Sequence, residues 1–224
     1  MKNQQFNTIF VDCFNTIIYR KKKRNDIFKQ WTKALSEKYN ITWKYIYKTY
    51  KSVNFNLCFK KLFLSLTLQE SFDIVLNTMF IKLAKKFAYL AKSDFIESAK
   101  NIYIETELNN FSVNKKMITL LEQEKNKGKP IYLVSDFYCT SDVITFWFEK
   151  LNIAHLFTGI FSSCDFFKEK ATTKLYKYLI KKLNLNARNV KMYGDNLWSD
   201  ILMAKTCGLA TQRVKKTKEK NEPK

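Results

Sequence analysis

FNTIFVDCFNTII, residues 6–18, holds an apolar run of β-branched and aromatic residues, Thr8-Ile9-Phe10-Val11, that stops at a carboxylate, Asp12. An unbroken run of this kind marks a strand buried on both faces, as inside a parallel sheet. An aspartate at the carboxyl end of such a strand stands where open α/β sheets gather their ligands. On its own, Asp12 could equally cap a turn. Three segments downstream supply matching parts, and together they favour a site.

Outside this stretch, the distribution of turn-forming residues divides the chain. Between Asp12 and Lys127 there is no glycine or proline, whereas Gly128, Pro130, Gly159, Gly194 and Gly208 all fall within 128–208. Glycine and proline punctuate turns, so the segment from about Lys21 to Phe111 reads as helices with short polar connections. Within it, Thr67-Leu-Gln-Glu70 and Asp94-Phe-Ile-Glu97 have capping-box spacing. Trp43, Tyr45, Tyr47 and Tyr50 read as helix packing rather than as a base-stacking surface.

The punctuated part alternates between two periods. A helix over 113–126, closed by Gly128, leads into a strand Ile131–Val134 that ends at Ser135-Asp136. A helix over Ser141–Leu151 precedes a strand Gly159-Ile160-Phe161, which runs into Ser162-Ser163-Cys164-Asp165. Lys170 opens or precedes a helix reaching about Leu183; the strand Asn189–Tyr193 then stops at Gly194-Asp195. A helix carrying Asp200 and a strand within Leu209–Val214 complete the series. Strands alternating with helices predict an α/β fold with a doubly wound parallel sheet. The expected organisation is a core from 1–20 and 112–216, an all-α insertion over 21–111, and a disordered basic tail over 217–224.

Composition narrows the function classes. The net charge of +20 invites a polyanion-binding reading. The lysines, however, are spread along the whole chain, with runs at Arg20–Arg24 and Lys215–Lys220, and no nucleic-acid-binding signature accompanies them. A solvated basic surface, useful toward an anionic substrate, is the better reading. The five cysteines (Cys13, Cys58, Cys139, Cys164, Cys207) include no CxxC pair, so neither a zinc site nor a disulfide framework is indicated. His155 is the only histidine, which excludes multi-histidine metal sites. No apolar run approaches the ~18 residues of a membrane span, and MKNQQFNTIF lacks the apolar segment of a signal peptide; a soluble cytoplasmic protein is expected.

The strand ends offer Asp12, Ser135, Lys170 and Asp195, and a doubly wound sheet brings such ends to one crevice. These residues have a joint chemistry. A carboxylate such as Asp12 can attack a phosphoryl group and carry it as an acyl phosphate. Ser135 Oγ and backbone N–H groups can hold the phosphoryl oxygens, and Lys170 supplies positive charge to them. Asp195 with Asp12 can bind Mg²⁺, a hard cation that lets an anionic nucleophile approach an anionic substrate. Lys168 and Lys174 compete with Lys170 for the cationic role, and Asp200 could be a helix-face carboxylate.

Asp12-Cys-Phe-Asn-Thr16, the strand ending in Ser135, Lys170, and Gly194-Asp195-Asn196 with Asp200 resemble the four motifs of the haloacid dehalogenase superfamily of phosphatases and phosphotransferases. IFVDCFNTIIYR, IYLVSDFY and SSCDFFKEKATTKLY are similar to a subgroup associated with bacterial surface-polysaccharide biosynthesis. The resemblance implies a Rossmann-like core with a type 1 helical cap. It implies that Asp12 is the nucleophile, that Lys170 stabilises it and the intermediate, and that Thr16 supports the loop after Asp12. Thr16, Ser135, Asp136 and Asn196 would bind substrate. Asp12, the Phe14 backbone carbonyl, Asp195 and Asp200 would hold Mg²⁺, Asp200 directly or as a supporting partner.

One position departs from the usual phosphatase pattern, which has a second aspartate two residues after the nucleophile; here it is Phe14. That aspartate is a general acid/base, a role worth roughly 10²–10⁴-fold, so a slow phosphatase acting on a small phosphorylated metabolite, such as a sugar phosphate, is expected. Asp136 could replace the acid. Haloacid-type dehalogenation, which has an aromatic residue there, and phospho-ligand binding without turnover are the alternatives.

Overall fold

The structure, a computed structural model, describes residues 6–64 and 68–215. The box at Thr67 to Glu70 and the tail over 217–224 lie outside the described residues. Residues up to Tyr19 together with those from Val113 onward make one compact unit, and Arg20–Ser112 make a second.

The first unit is a five-stranded parallel sheet built on β1 (Thr8–Val11). Before the chain returns to the sheet it forms the short strands β2 (Ile18–Arg20) and β3 (Phe111–Val113), which pair in a separate two-stranded sheet. The main sheet continues with β4 (Ile131–Ser135), β5 (Gly159–Ser162), β6 (Val190–Gly194) and β7 (Ala210–Arg213), in the order β5-β4-β1-β6-β7. β1 is central: Ile9 pairs with Ile131 on one side and Lys191 on the other. All four of its residues are buried, which explains the apolar run. Strand order reverses about β1, so the carboxyl ends of β1, β4 and β6 open onto one switch point.

Helices of this unit follow the expected periods. They are α5 (Lys115–Asn126), α6 (Ser141–Lys150), the short α7 (Ser163–Phe166), α8 (Lys174–Lys182) and the short α9 (Met203–Thr206), taking the numbers α1–α4 for the second unit. α8 sets Leu175, Tyr176 and Leu179 on Phe10, Val134 and Met192, while Lys174 and Lys177 on its other side stay exposed. Phe10 is fully buried in this cluster, and its truncation to alanine costs about 3–5 kcal/mol. Sequence patterning missed β2 and β3, because three residues show no measurable period. It also began α5 two residues early: Asn114, accepting from Met117 N–H at 3.3 Å, is the true cap.

The second unit contains α1 (Arg24–Tyr39), α2 (Trp43–Leu64), α3 (Leu68–Ala84) and α4 (Lys92–Leu108). Phe28, Trp31, Tyr50 and Tyr103 form its aromatic centre, Phe28 stacking on Tyr50 at 4.4 Å, and the Trp31 indole N–H donates to the Ala99 carbonyl. Tyr50 is thus packing as expected, whereas Tyr45 is exposed. The Asp94 box is corrected. α4 starts at Lys92, so Asp94 lies inside the first turn, where its carboxylate accepts from the Tyr39 hydroxyl at 2.7 Å. No helix among the described residues is long and apolar enough to cross a membrane.

Candidate active site

β1 ends at Val11 and delivers Asp12, whose backbone N–H continues the ladder to the Tyr193 carbonyl at 2.8 Å. The chain then turns tightly: Ile17 and Ile18 N–H both donate to the Cys13 carbonyl, and Asn15 sits at φ 58°. Asparagine tolerates that left-handed conformation better than most residues. Thr16 Oγ1 donates to Asp12 Oδ2 at 3.3 Å. Asn114 braces the loop from α5, donating to the Thr16 carbonyl at 2.8 Å.

The turn between β5 and α8 delivers Lys170, which is 1 % exposed. Its ammonium lies 2.6 Å from Asp12 Oδ1 and 2.7 Å from Asp200 Oδ1. Lys168 Nζ instead donates to the Phe166 carbonyl, and Lys174 is exposed. Asp200 stands on a single π-helical segment, Leu197–Leu202, after β6. Such segments are rare and concentrate at functional sites. Asp200 Oδ2 accepts from Asn196 N–H at 3.0 Å, and Ser199 Oγ donates to Oδ1 at 3.2 Å. A β-carbon added to Gly194 would lie 2.5 Å from Asp200 Cβ, so only glycine lets the two segments approach.

Asp12, Asp195 and Asp200 each place a carboxylate oxygen within 4.8 Å of the others. The set consists of hard oxygen donors without histidine or thiolate, and it fits Mg²⁺ better than a softer metal. Burial pushes the Asp12 carboxyl up to about 7, opposed by the Lys170 ammonium and reinforced by Asp200. Burial by itself lowers the pKa of Lys170, but Asp12 and Asp200 outweigh it and hold the ammonium well above its usual range. A cation bound among these carboxylates would favour the charged form of Asp12.

Ser135, at the end of β4, is 1 % exposed, and its Oγ has no hydrogen-bond partner, alone among the buried side-chain polar atoms of the described residues. Leaving a buried hydroxyl unpaired costs about 1–3 kcal/mol, and Ser135 Oγ remains free to donate.

The family model for haloacid dehalogenase-like hydrolases matches residues 6–208. The chain belongs to that family. No curated protein matches it significantly. Among solved structures it is similar to the HAD-hydrolase YfnB from Bacillus subtilis, bound to magnesium, with 20 % identity, 98 % of this chain and 91 % of that one covered, and a TM-score of 0.62. It is similar also to the L-2-haloacid dehalogenase from Xanthobacter autotrophicus with chloropropionic acid covalently bound (12 % identity, 96 % and 80 % covered, TM-score 0.57). A predicted phosphoglycolate phosphatase from Haemophilus somnus gives 16 % identity, 94 % and 85 % coverage and a TM-score of 0.55. These likenesses concern the fold.

In this haloacid dehalogenase-like hydrolase the side chains of Phe14, Asn196 and Asp136 have the following surroundings. Phe14 is half-buried, its ring 4.6 Å from Phe137 and 6.4 Å from Trp147. Asn196 is exposed, and its side-chain oxygen accepts from Trp198 and Ser199 N–H at 2.9 and 3.0 Å, capping the π-helical segment. Asp136 turns its carboxylate to the backbone, accepting from Lys170 N–H at 2.7 Å and from Ala171 N–H at 3.3 Å. His155 is exposed. Sequence reasoning missed Asn114, Trp198 and Tyr176; the buried Tyr176 hydroxyl donates to the Ser199 carbonyl at 3.1 Å. Each acts through a main-chain atom, a role that leaves no residue-type pattern to read.

Proposed function

We propose that the protein is a Mg²⁺-dependent phosphatase-like hydrolase acting on a small phosphorylated metabolite. The observation that carries this reading is the buried Lys170 ammonium shared by Asp12 and Asp200. The unpaired Ser135 hydroxyl supports it.

Asp12 attacks phosphorus in line with the leaving oxygen; the new bond is Asp12 Oδ to phosphorus, and the bond from phosphorus to the substrate oxygen breaks. Lys170 offsets charge on the nucleophile and the phosphoryl oxygens, while Ser135 Oγ donates to one of those oxygens. Water then attacks phosphorus, its new bond forming as the Asp12 Oδ–phosphorus bond breaks and its proton passing to solvent, so that inorganic phosphate leaves and the Asp12 carboxylate is restored. Asp12, Asp195, Asp200 and the Phe14 carbonyl would hold Mg²⁺, which would supply the charge that allows two anions to meet. Phe14 can neither protonate the leaving oxygen nor deprotonate water, so solvent must do both and turnover is slow. The helical segment Arg20–Ser112 acts as a type 1 cap and sets specificity. A sugar-phosphate substrate follows from the resemblance to polysaccharide-associated relatives.

The test is phosphate release across a sugar-phosphate and nucleotide panel, with and without Mg²⁺, for wild type and Asp12→Asn. Release that needs both Mg²⁺ and Asp12 supports the reading; binding without turnover refutes it in favour of a phospho-ligand module. One observation favours a second reading: Phe14 lies in an aromatic group with Phe137 and Trp147, a surrounding suited to a leaving group that needs no proton. Metal-independent halide release from a 2-haloacid would identify that dehalogenase chemistry.

A further inference from the structure

Asp136 lies beside Ser135 at the mouth of the site, where a carboxylate invites a role in proton transfer or substrate contact. Its hydrogen bonds point elsewhere. Oδ1 takes Lys170 N–H at 2.7 Å and Oδ2 takes Ala171 N–H at 3.3 Å. The next peptide is held as well, the Trp198 indole N–H donating to the Ala171 carbonyl at 3.2 Å. Trp198 belongs to the segment that carries Asp200, so the Lys170 turn is tied both to the end of β4 and to the segment after β6.

The loop bearing Asp136 is itself anchored. Ser162 Oγ donates to the Cys139 carbonyl at 2.7 Å, Ser163 Oγ to the Phe137 carbonyl at 3.2 Å, and the Asp165 carboxylate accepts from Ser141 N–H at 3.2 Å. This gives a physical task to the Ser162-Ser163-Cys164-Asp165 stretch. Regular structure does not hold the Lys170 turn: only Lys170–Thr172 are helical, in one 3₁₀ turn, and the turn ends at Thr173 with φ 64°. A β-branched residue there is strained, so the turn needs external ties to keep a buried ammonium in register.

We propose that Asp136 is a positioning residue for Lys170: by gripping the backbone of Lys170 and Ala171 it sets the ammonium between Asp12 and Asp200. This rests on the phosphatase reading for its kinetic consequences, but its structural consequence is independent of turnover. A misplacement of about 1 Å is worth up to ~10²-fold in rate.

Phosphate release from p-nitrophenyl phosphate with Mg²⁺ is measured for wild type, Asp136→Ala, Asp136→Asn, Lys170→Ala and Asp136→Ala/Lys170→Ala, with crystal structures of wild type and the two Asp136 variants. The expected result is a fall in kcat of about 10–100-fold in Asp136→Ala with KM little changed. Asp136→Asn, which keeps one acceptor, should be intermediate, and the double variant should match Lys170→Ala within about twofold. A rise in KM at constant kcat would overturn the proposal in favour of substrate contact. So would the loss of one limb of the pH–rate profile, which marks proton transfer, or an undiminished decrement in the Lys170→Ala background. If the wild type releases no phosphate, the phosphatase reading fails by itself. The structures then decide: an ammonium drawn away from Asp12 and Asp200 supports positioning, and one left in place refutes it. Should Asp136→Ala not fold, Asp136→Asn carries the same comparison.

Discussion

Lys170 Nζ and Asp12 Oδ1 are 2.6 Å apart, although 158 positions separate the two residues in the chain. Desolvating a charged pair is costly, and this pair adds a second buried carboxylate, Asp200, to the same ammonium. Asp12 is the group that titrates in response.

The first prediction follows from that titration. A carboxyl whose pKa is raised from 3.8 to about 7 on folding contributes stability that is fully present below pH 3.8 and is lost as pH rises through about 7. Metal-free protein should therefore have a lower Tm at pH 8 than at pH 5.5, and Mg²⁺ should raise the Tm more at pH 8. Asp12→Asn should flatten this slope, raise the metal-free Tm at pH 8 and abolish phosphate release. Melting curves across pH in EDTA and in Mg²⁺ check all three outcomes.

Phe14→Asp should restore the missing acid/base. Phosphate release should rise at least tenfold, toward the ~10²–10⁴-fold range of such groups, while Tm falls because the ring packed at 4.6 Å against Phe137 is lost. Steady-state kinetics and a melting curve on the same preparation separate the two effects. An unchanged rate in a folded variant would mean that turnover is limited elsewhere.

Gly194→Ala tests the close approach of β6 to the π-helical segment. The new methyl would meet Asp200 Cβ at 2.5 Å and Oδ2 at 2.3 Å, so Asp200 must leave and Lys170 loses a partner. Activity should fall by at least tenfold, the scale of losing a supporting residue, and Mg²⁺ should stabilise the variant less than it does the wild type, as read by thermal shift.

Thr173→Gly should do the reverse to stability. Relieving a β-branched residue at φ 64° is worth about 1–2 kcal/mol, less the extra chain entropy of glycine. A higher denaturation midpoint at unchanged m-value is the expected reading.

Much of this architecture was legible because its signals are local. Thr8–Val11 declared a central strand by being apolar on both faces, and Gly194, Pro130 and Gly128 marked where elements stop. Asp12, Ser135, Lys170 and Asp195 drew attention because each follows a strand or lies ahead of a helix. The supporting residues were opaque for a physical reason. Asp136, Asn114 and Trp198 act on main-chain atoms brought near only by folding, and the sequence around Asp136, expected to bind substrate or to act as an acid, holds no sign of its contacts with Lys170 and Ala171 N–H. The strands β2 and β3 stayed hidden since each is too short to show alternation.

Phe14 occupies the place of a proton donor, yet its ring is interlocked with Phe137 and Trp147. Shortening that side chain to a carboxylate would leave a hole beside both rings, so an acid at position 14 calls for larger neighbours to refill the space.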